Sequence, residues 1–123
     1  MANSIVWADI PVLDLDRARK FYGAILQEEV KLAPGMEGIA LLPGEMGEVS
    51  ADLAVGGNVK PSTDGATVYI DCKGDIEGAI ARAVAAGGEV IMPPSDMGEM
   101  VGTIAFLKDT EGNRIGLHVP PKM

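Results

Sequence analysis

The sequence predicts an α+β domain made of two βαβββ modules, about residues 1–58 and 65–123. Three observations carry this. Asp75, Ile76, Glu77 and Ala79 repeat Asp14, Leu15, Asp16 and Ala18 at a shift of 61, about half of the 123-residue chain, and Glu89 repeats Glu28 at the same shift. Each copy sits where an apolar alternation of period two gives way to helical spacing. Between the copies, Gly56-Gly57-Asn58 through Pro61-Ser62-Thr63-Asp64-Gly65 is polar and turn-rich, as a linker should be. A module of about 60 residues is marginal alone, so the two are expected to share one core in a single domain.

The elements follow in order. Val6, Ala8, Ile10 and Val12 alternate on one face of a strand over 4–12. Asp14 is the expected N-cap of a helix over 14–27, because its carboxylate can accept from free backbone N–H groups of the first turn. Asp16 complements the helix dipole, and Leu15, Ala18, Phe21, Tyr22 and Ile25 form the buried stripe. Strands are expected at 29–32, 39–42 and 49–55, separated by Pro34-Gly35 and Pro43-Gly44. In the second half, a strand over 67–72 leads to an Ala-rich helix over 75–86, stopped by Gly87-Gly88. A strand over 89–92 should stop at Pro93-Pro94. Residues 95–100 form a loop, and strands follow at 101–107 and 114–119 around the Asp109-to-Asn113 turn.

Composition narrows the function. Apolar residues make up 47%, charged residues 23% and aromatics 4%, a globular balance. Net charge is −8 and no Lys/Arg cluster occurs, which argues against nucleic acid or an anionic membrane as partner. No signal peptide and no apolar run long enough to span a bilayer is read, so the cytosol is the expected compartment. The single cysteine, Cys72, excludes an internal disulfide and lies on the apolar face of its strand, as a buried, inert thiol does.

The paired modules, the Ile10-Pro11-Val12-Leu13-Asp14-Leu15-Asp16-Arg17-Ala18 opening, the Gly87-Gly88 stop and the closing Asp109-to-Leu117 turn and strand together resemble the vicinal oxygen chelate superfamily. This is the group of glyoxalase I, bleomycin-resistance proteins and extradiol dioxygenases. The resemblance covers nearly the whole chain. It implies curved mixed sheets that form a cleft, and commonly a homodimer. In metal-using members, His, Gln or Glu ligands come from the first and last strands of each module, and the metal holds two neighbouring substrate oxygens. Carried over residue by residue, these positions land on Trp7, on Ala51 or Asp52, on Thr67 or Val68, and on Gly116. Trp7, Thr67, Val68 and Gly116 are not competent ligands for a divalent metal, so neither a metal nor another cofactor is expected.

Strand parity supplies a candidate site independently. Residues opposite the helix-facing sets are Trp7 and Asp9, then Thr67, Tyr69 and Asp71, then Arg114, Gly116 and His118. On a cleft face they would give an aromatic wall with a few orienting polar groups. Trp7 either stacks on a ligand or fills the space of a metal. Asp9 and Asp71 either orient a ligand or are solvated. Arg114 could instead form a surface bridge to Asp109 or Glu111. His118, the only histidine, is the candidate to move a proton, or else a packing residue. Met92, Met97 and Met100 are core or, for the latter two, a pliable cleft wall.

Three functions remain open from the sequence: a metal-free small-molecule binder or enzyme using the cleft, a metal-dependent lyase or dioxygenase of the glyoxalase type, and an antibiotic-sequestering binder of the bleomycin-resistance type. Whether the modules pair within a chain or between chains is also open at this level.

Overall fold

The computed structural model describes residues 4–45, 47–57 and 59–121. Module one contains β1 (Trp7–Val12), α1 (Leu15–Leu26), β2 (Lys31–Leu32), β3 (Ile39–Leu41) and β4 (Ser50–Val55). Module two contains β5 (Val68–Asp71), α2 (Ile76–Ala85), β6 (Glu89–Asp96), β7 (Thr103–Lys108) and β8 (Arg114–Val119). Each module is therefore βαβββ, with a four-stranded mixed sheet ordered β1-β4-β3-β2 or β5-β8-β7-β6. The opening strand of each sheet pairs in parallel with the last one, and the remaining pairs are antiparallel. No helix of the described residues is long and apolar enough to cross a membrane.

Both helices begin as the sequence predicts. Asp14 accepts from the Arg17 N–H at 3.1 Å and Asp75 from the Gly78 N–H at 2.9 Å. The stripe of Ala18, Phe21, Tyr22 and Ile25 is buried, with Phe21 and Tyr22 meeting edge to face at 5.0 Å. Ile10, Val12, Leu53 and Ala40 of module one join Ile70, Cys72, Ile76, Leu107, Ile115 and Leu117 of module two in one hydrophobic cluster. The two modules of one chain thus share a core, as their size demands.

The repeat is not uniform. The caps Asp14 and Asp75 are 61 apart, but Val12 and Cys72, the buried residues that end the core-facing rows, are 60 apart. The extra residue lies in the corner Lys73-Gly74, where both residues take positive φ, 54° and 79°.

β6 departs from the sequence expectation. It does not stop at Pro93 but continues to Asp96, pairing Ser95 with Ile104 and Asp96 with Thr103. Register shifts fall between Val90 and Met92 and between Met92 and Ser95. The strand is an edge of its sheet, so the two prolines need donate no hydrogen bond outward, and the irregularity absorbs them. The next strand begins at Thr103 rather than 101, since Val101 and Gly102 close a turn whose N–H groups both point to the Gly98 carbonyl. At the Gly87-Gly88 stop, Gly87 has φ 107°, and a Cβ on Gly88 would fall 2.6 Å from the Phe21 ring. The stop of α2 is thereby a close approach of backbone to the core of module one.

Candidate functional site

The register of the sheets resolves which side chains share a face. Parallel partners project to the same side, so Asp9↔Asp52 places two carboxyl groups next to one another on the face of module one turned from the helix. Trp7 lies on the same face two residues earlier. Its indole Nε1–H donates to Asp52 Oδ2 at 2.9 Å. Asp52 is only 8% exposed, whereas Trp7 remains 44% exposed and Asp9 is exposed. Asp52 Oδ1 is buried and has no hydrogen-bond partner among the described residues. Burial pushes the Asp52 carboxyl up from its ordinary value. The Trp7 N–H works against this, and the neighbouring Asp9 carboxyl reinforces it.

The corresponding face of module two gathers Tyr69, Gly116 and His118. Tyr69 pairs with Gly116 across β5 and β8, and Asp71 with His118. The Tyr69 ring lies over Gly116, where an added Cβ would collide with it. Ring centroids place Tyr69 6.1 Å from Phe106 and 6.3 Å from His118. The His118 Nε2–H donates to the Val101 carbonyl at 2.6 Å, which ties the imidazole to the 97–102 turn. Arg114 forms no bridge to Asp109 or Glu111. Its Nε and Nη2 donate to Thr67 Oγ1 at 3.1 and 2.8 Å, and its guanidinium lies 5.2 Å from the Phe106 ring centre. Asp71 Oδ1 accepts from the Lys73 N–H at 2.9 Å and so shapes the corner after β5.

The sequence-predicted residues therefore form two groups: Trp7 and Asp9 on one sheet, and Thr67, Tyr69, Asp71, Arg114, Gly116 and His118 on the other. No hydrogen bond or ring contact joins the groups among the described residues. A cavity of about 550 Å³ lies between the modules. Thr67, Tyr69 and Asp71 line it together with Ala8, Ser50 and Ala51, the neighbours of Trp7 and Asp52; Trp7, Asp9, Arg114 and His118 do not. A more open hollow of about 840 Å³ adjoins it around Glu28, Glu45, Glu48 and Lys73.

Asp52 is the residue that sequence reasoning left unresolved against Ala51. The strand register decides for it, because Ala51 is buried toward the core and Asp52 matches Gly116 in the second sheet. The positions that the family resemblance assigns to metal ligands thus hold Trp7, Asp52, Thr67 and Gly116. These side chains do not fit a divalent ion. The single carboxylate is bonded to the indole, Thr67 is occupied by Arg114, and the space beside Gly116 is filled by Tyr69. Among the described residues no group of three or more His, Cys, Asp or Glu side chains is placed to hold a metal.

Comparison with known proteins agrees with the topology. "Putative glyoxylase CFP32" of Mycobacterium tuberculosis is 27% identical over 117 residues, a stretch covering 90% of this chain and 43% of the relative. The chain thus spans less than half the length of that curated relative. A glyoxalase/bleomycin resistance protein from Albidiferax ferrireducens superposes with a TM-score of 0.72 at 19% identity, over 94% of this chain and 97% of that one. A mutant of the fosfomycin resistance protein FosX from Listeria monocytogenes, complexed with Mn(II) and 1S,2S-dihydroxypropylphosphonic acid, superposes with a TM-score of 0.68 at 16% identity, over 98% and 92% of the two chains. At these identities the structures establish the fold alone. The sequence itself matches the family description over residues 4–117, and the chain belongs to the Glyoxalase/Bleomycin resistance protein/Dioxygenase superfamily.

Proposed function

We propose that this chain binds a small molecule at its sheet faces without the metal that other members of the superfamily use. The observation that carries the reading is the Trp7–Asp52 hydrogen bond. It places an indole where a first ligand would stand and engages the only carboxylate of the set. An exposed flat ring beside two carboxyl groups is a recognition surface of ordinary composition, an apolar wall with few polar groups. A separate cavity of about 550 Å³ between the modules, lined by none of Trp7, Asp9 and Asp52, is also within the usual size range of ligand sites.

The test is a thermal-shift screen of small molecules with and without divalent metals, with elemental analysis of protein purified without chelator. A ligand at one hundred times its Kd stabilises the native state by about 2.7 kcal/mol, a shift of several degrees. We expect shifts of this size that are the same with or without metal. About one Zn, Ni, Fe or Mn per chain, with shifts that vanish on chelation, would replace this reading with a metal-dependent lyase or dioxygenase.

The same reading includes a homodimer. β1, β2, β5 and β6 are edge strands of their sheets, and Leu32, Val90 and Ile91 are each more than two-fifths exposed. Unpaired edges and apolar sheet surface are what a second copy covers. Sedimentation velocity at micromolar concentration should give a species of twice the 12.8 kDa chain mass. A single species at the chain mass would reject the dimer.

A further inference from the structure

We propose that Asp9 and Asp52, with the indole of Trp7, form a receptor for the planar cationic head of an organic ligand, an amidinium or guanidinium. The inference rests on the small-molecule reading above and names the ligand class of that site. Paired across β1 and β4, the two carboxyl groups carry four oxygens, and those of the exposed Asp9 are the ones open to a ligand's donors. Among the described residues the Trp7 N–H on Asp52 Oδ2 is the one N–H donor these oxygens receive, and the Asp9 and Asp52 carboxyl groups lie within hydrogen-bonding reach of each other. Asp52 Oδ1 is buried and unpartnered, an arrangement that native structures rarely leave without a reason.

No ion pair among the described residues reaches Asp9 or Asp52. The ion pairs among the described residues are Arg17–Glu111, Arg19–Asp16 and Lys73–Glu28, and Arg114 is held on Thr67 and Phe106. What the site lacks is therefore positive charge with N–H donors.

The exposure of the three residues gives the head its orientation. Asp52 is buried and supplies charge from behind. Asp9 is exposed and can accept a forked pair of N–H bonds, the geometry that planar amidinium and guanidinium groups share. Trp7 presents an open indole face, on which a planar cation is attracted by the ring quadrupole. A hard divalent ion fits less well, since calcium takes six to eight oxygen ligands and only two carboxyl groups meet here.

Trp7 is the only tryptophan, so its fluorescence reports on this site. The probes are benzamidinium chloride and its neutral near-isostere benzamide, each titrated into the intact protein, with calcium chloride as a third arm. We expect a saturable change with benzamidinium, at least ten-fold weaker binding of benzamide, and no saturable change with calcium. Asp9→Asn should weaken benzamidinium at least ten-fold. Asp9 is exposed, so this variant keeps its fold, and circular dichroism checks that it does. Asp52→Asn should weaken it also. Equal binding of benzamide and benzamidinium would overturn the cation receptor and leave the small-molecule reading standing. A response to calcium in place of benzamidinium, or full benzamidinium affinity in Asp9→Asn, would overturn the receptor as well. No response of Trp7 to either organic probe, together with a thermal-shift screen that finds nothing, would remove both.

Discussion

Asp109→Ala should unfold this protein more readily than any other single change at a polar residue, with a loss of about 3–5 kcal/mol. The Asp109 side chain is a buried hub. Its Oδ1 accepts from the N–H groups of Glu111, Gly112 and Asn113, each at 2.8 Å. Its Oδ2 accepts from Asn113 Nδ2 at 2.9 Å and from the Tyr22 hydroxyl at 2.5 Å. Asn113 in turn donates to the Pro11 carbonyl at 2.7 Å, so the turn between β7 and β8 is pinned to both β1 and α1 of module one. Burial holds the Tyr22 phenol well above its ordinary value, and the Asp109 charge adds to this, so the hydroxyl keeps its proton as donor. Alanine would strand five donors, most of them buried. Tyr22→Phe removes one of the five and should cost about 1.5–3 kcal/mol. Urea denaturation followed by circular dichroism measures both. A loss for Asp109→Ala no larger than that for Tyr22→Phe would show that the turn is held by its backbone alone.

Acid should weaken the fold chiefly through Glu111. Burial by itself would raise the Glu111 carboxyl. The bonds from Arg17, the Asp14 N–H, Thr110 and the Leu13 N–H outweigh it and hold the group at about 2 instead of 4.5. The side chain is fully buried, with contacts from Leu13 N at 2.8 Å, Asp14 N at 2.7 Å and Arg17 Nε at 2.7 Å. A carboxyl depressed on folding stabilises the native state above its unfolded value. Here that contribution is present in full above about pH 5 and is lost as pH falls from about 4.5 toward 2, to a total of about 3 kcal/mol. Glu111→Gln keeps the shape and removes the titration. Its stability should be lower than wild type at pH 7, and the drop between pH 7 and pH 3 should shrink by about 2 kcal/mol. Identical pH slopes for the two proteins would place the acid sensitivity elsewhere.

These two residues also mark the limit of what was legible in the sequence. Local signals were readable. Asp14 and Asp75 cap their helices, parity set Trp7 and Asp9 opposite the buried Ile10 and Val12, and β8 spans Arg114–Val119 as expected. The module-one partners of Asp109 and Glu111 lie between 87 and 98 positions away, and no periodicity carries such a distance. Both therefore read as ordinary turn residues. Asp52 stayed ambiguous for a related reason. The loop before β4 has no pattern that fixes its length, and a slip of one residue exchanges Asp52 for Ala51. Only the pairing of β4 with β1 decides which of them stands beside Asp9. The run of β6 through Pro93 and Pro94 was hidden because proline normally ends a strand, and only the position of β6 at the sheet edge lifts that rule.

The carboxylate that completes the start of α1 comes from module two, and among the described residues α2 receives none from module one. Despite the repeat, the modules are unequal in time as well as in sequence. On the ribosome, which adds about 5–20 residues each second, the amides of Leu13 and Asp14 wait several seconds for Glu111. Until then the first helix carries only its own Asp14 cap, and its Tyr22 has no Asp109 to meet. The half of the chain made first is therefore not finished until the second half is nearly complete.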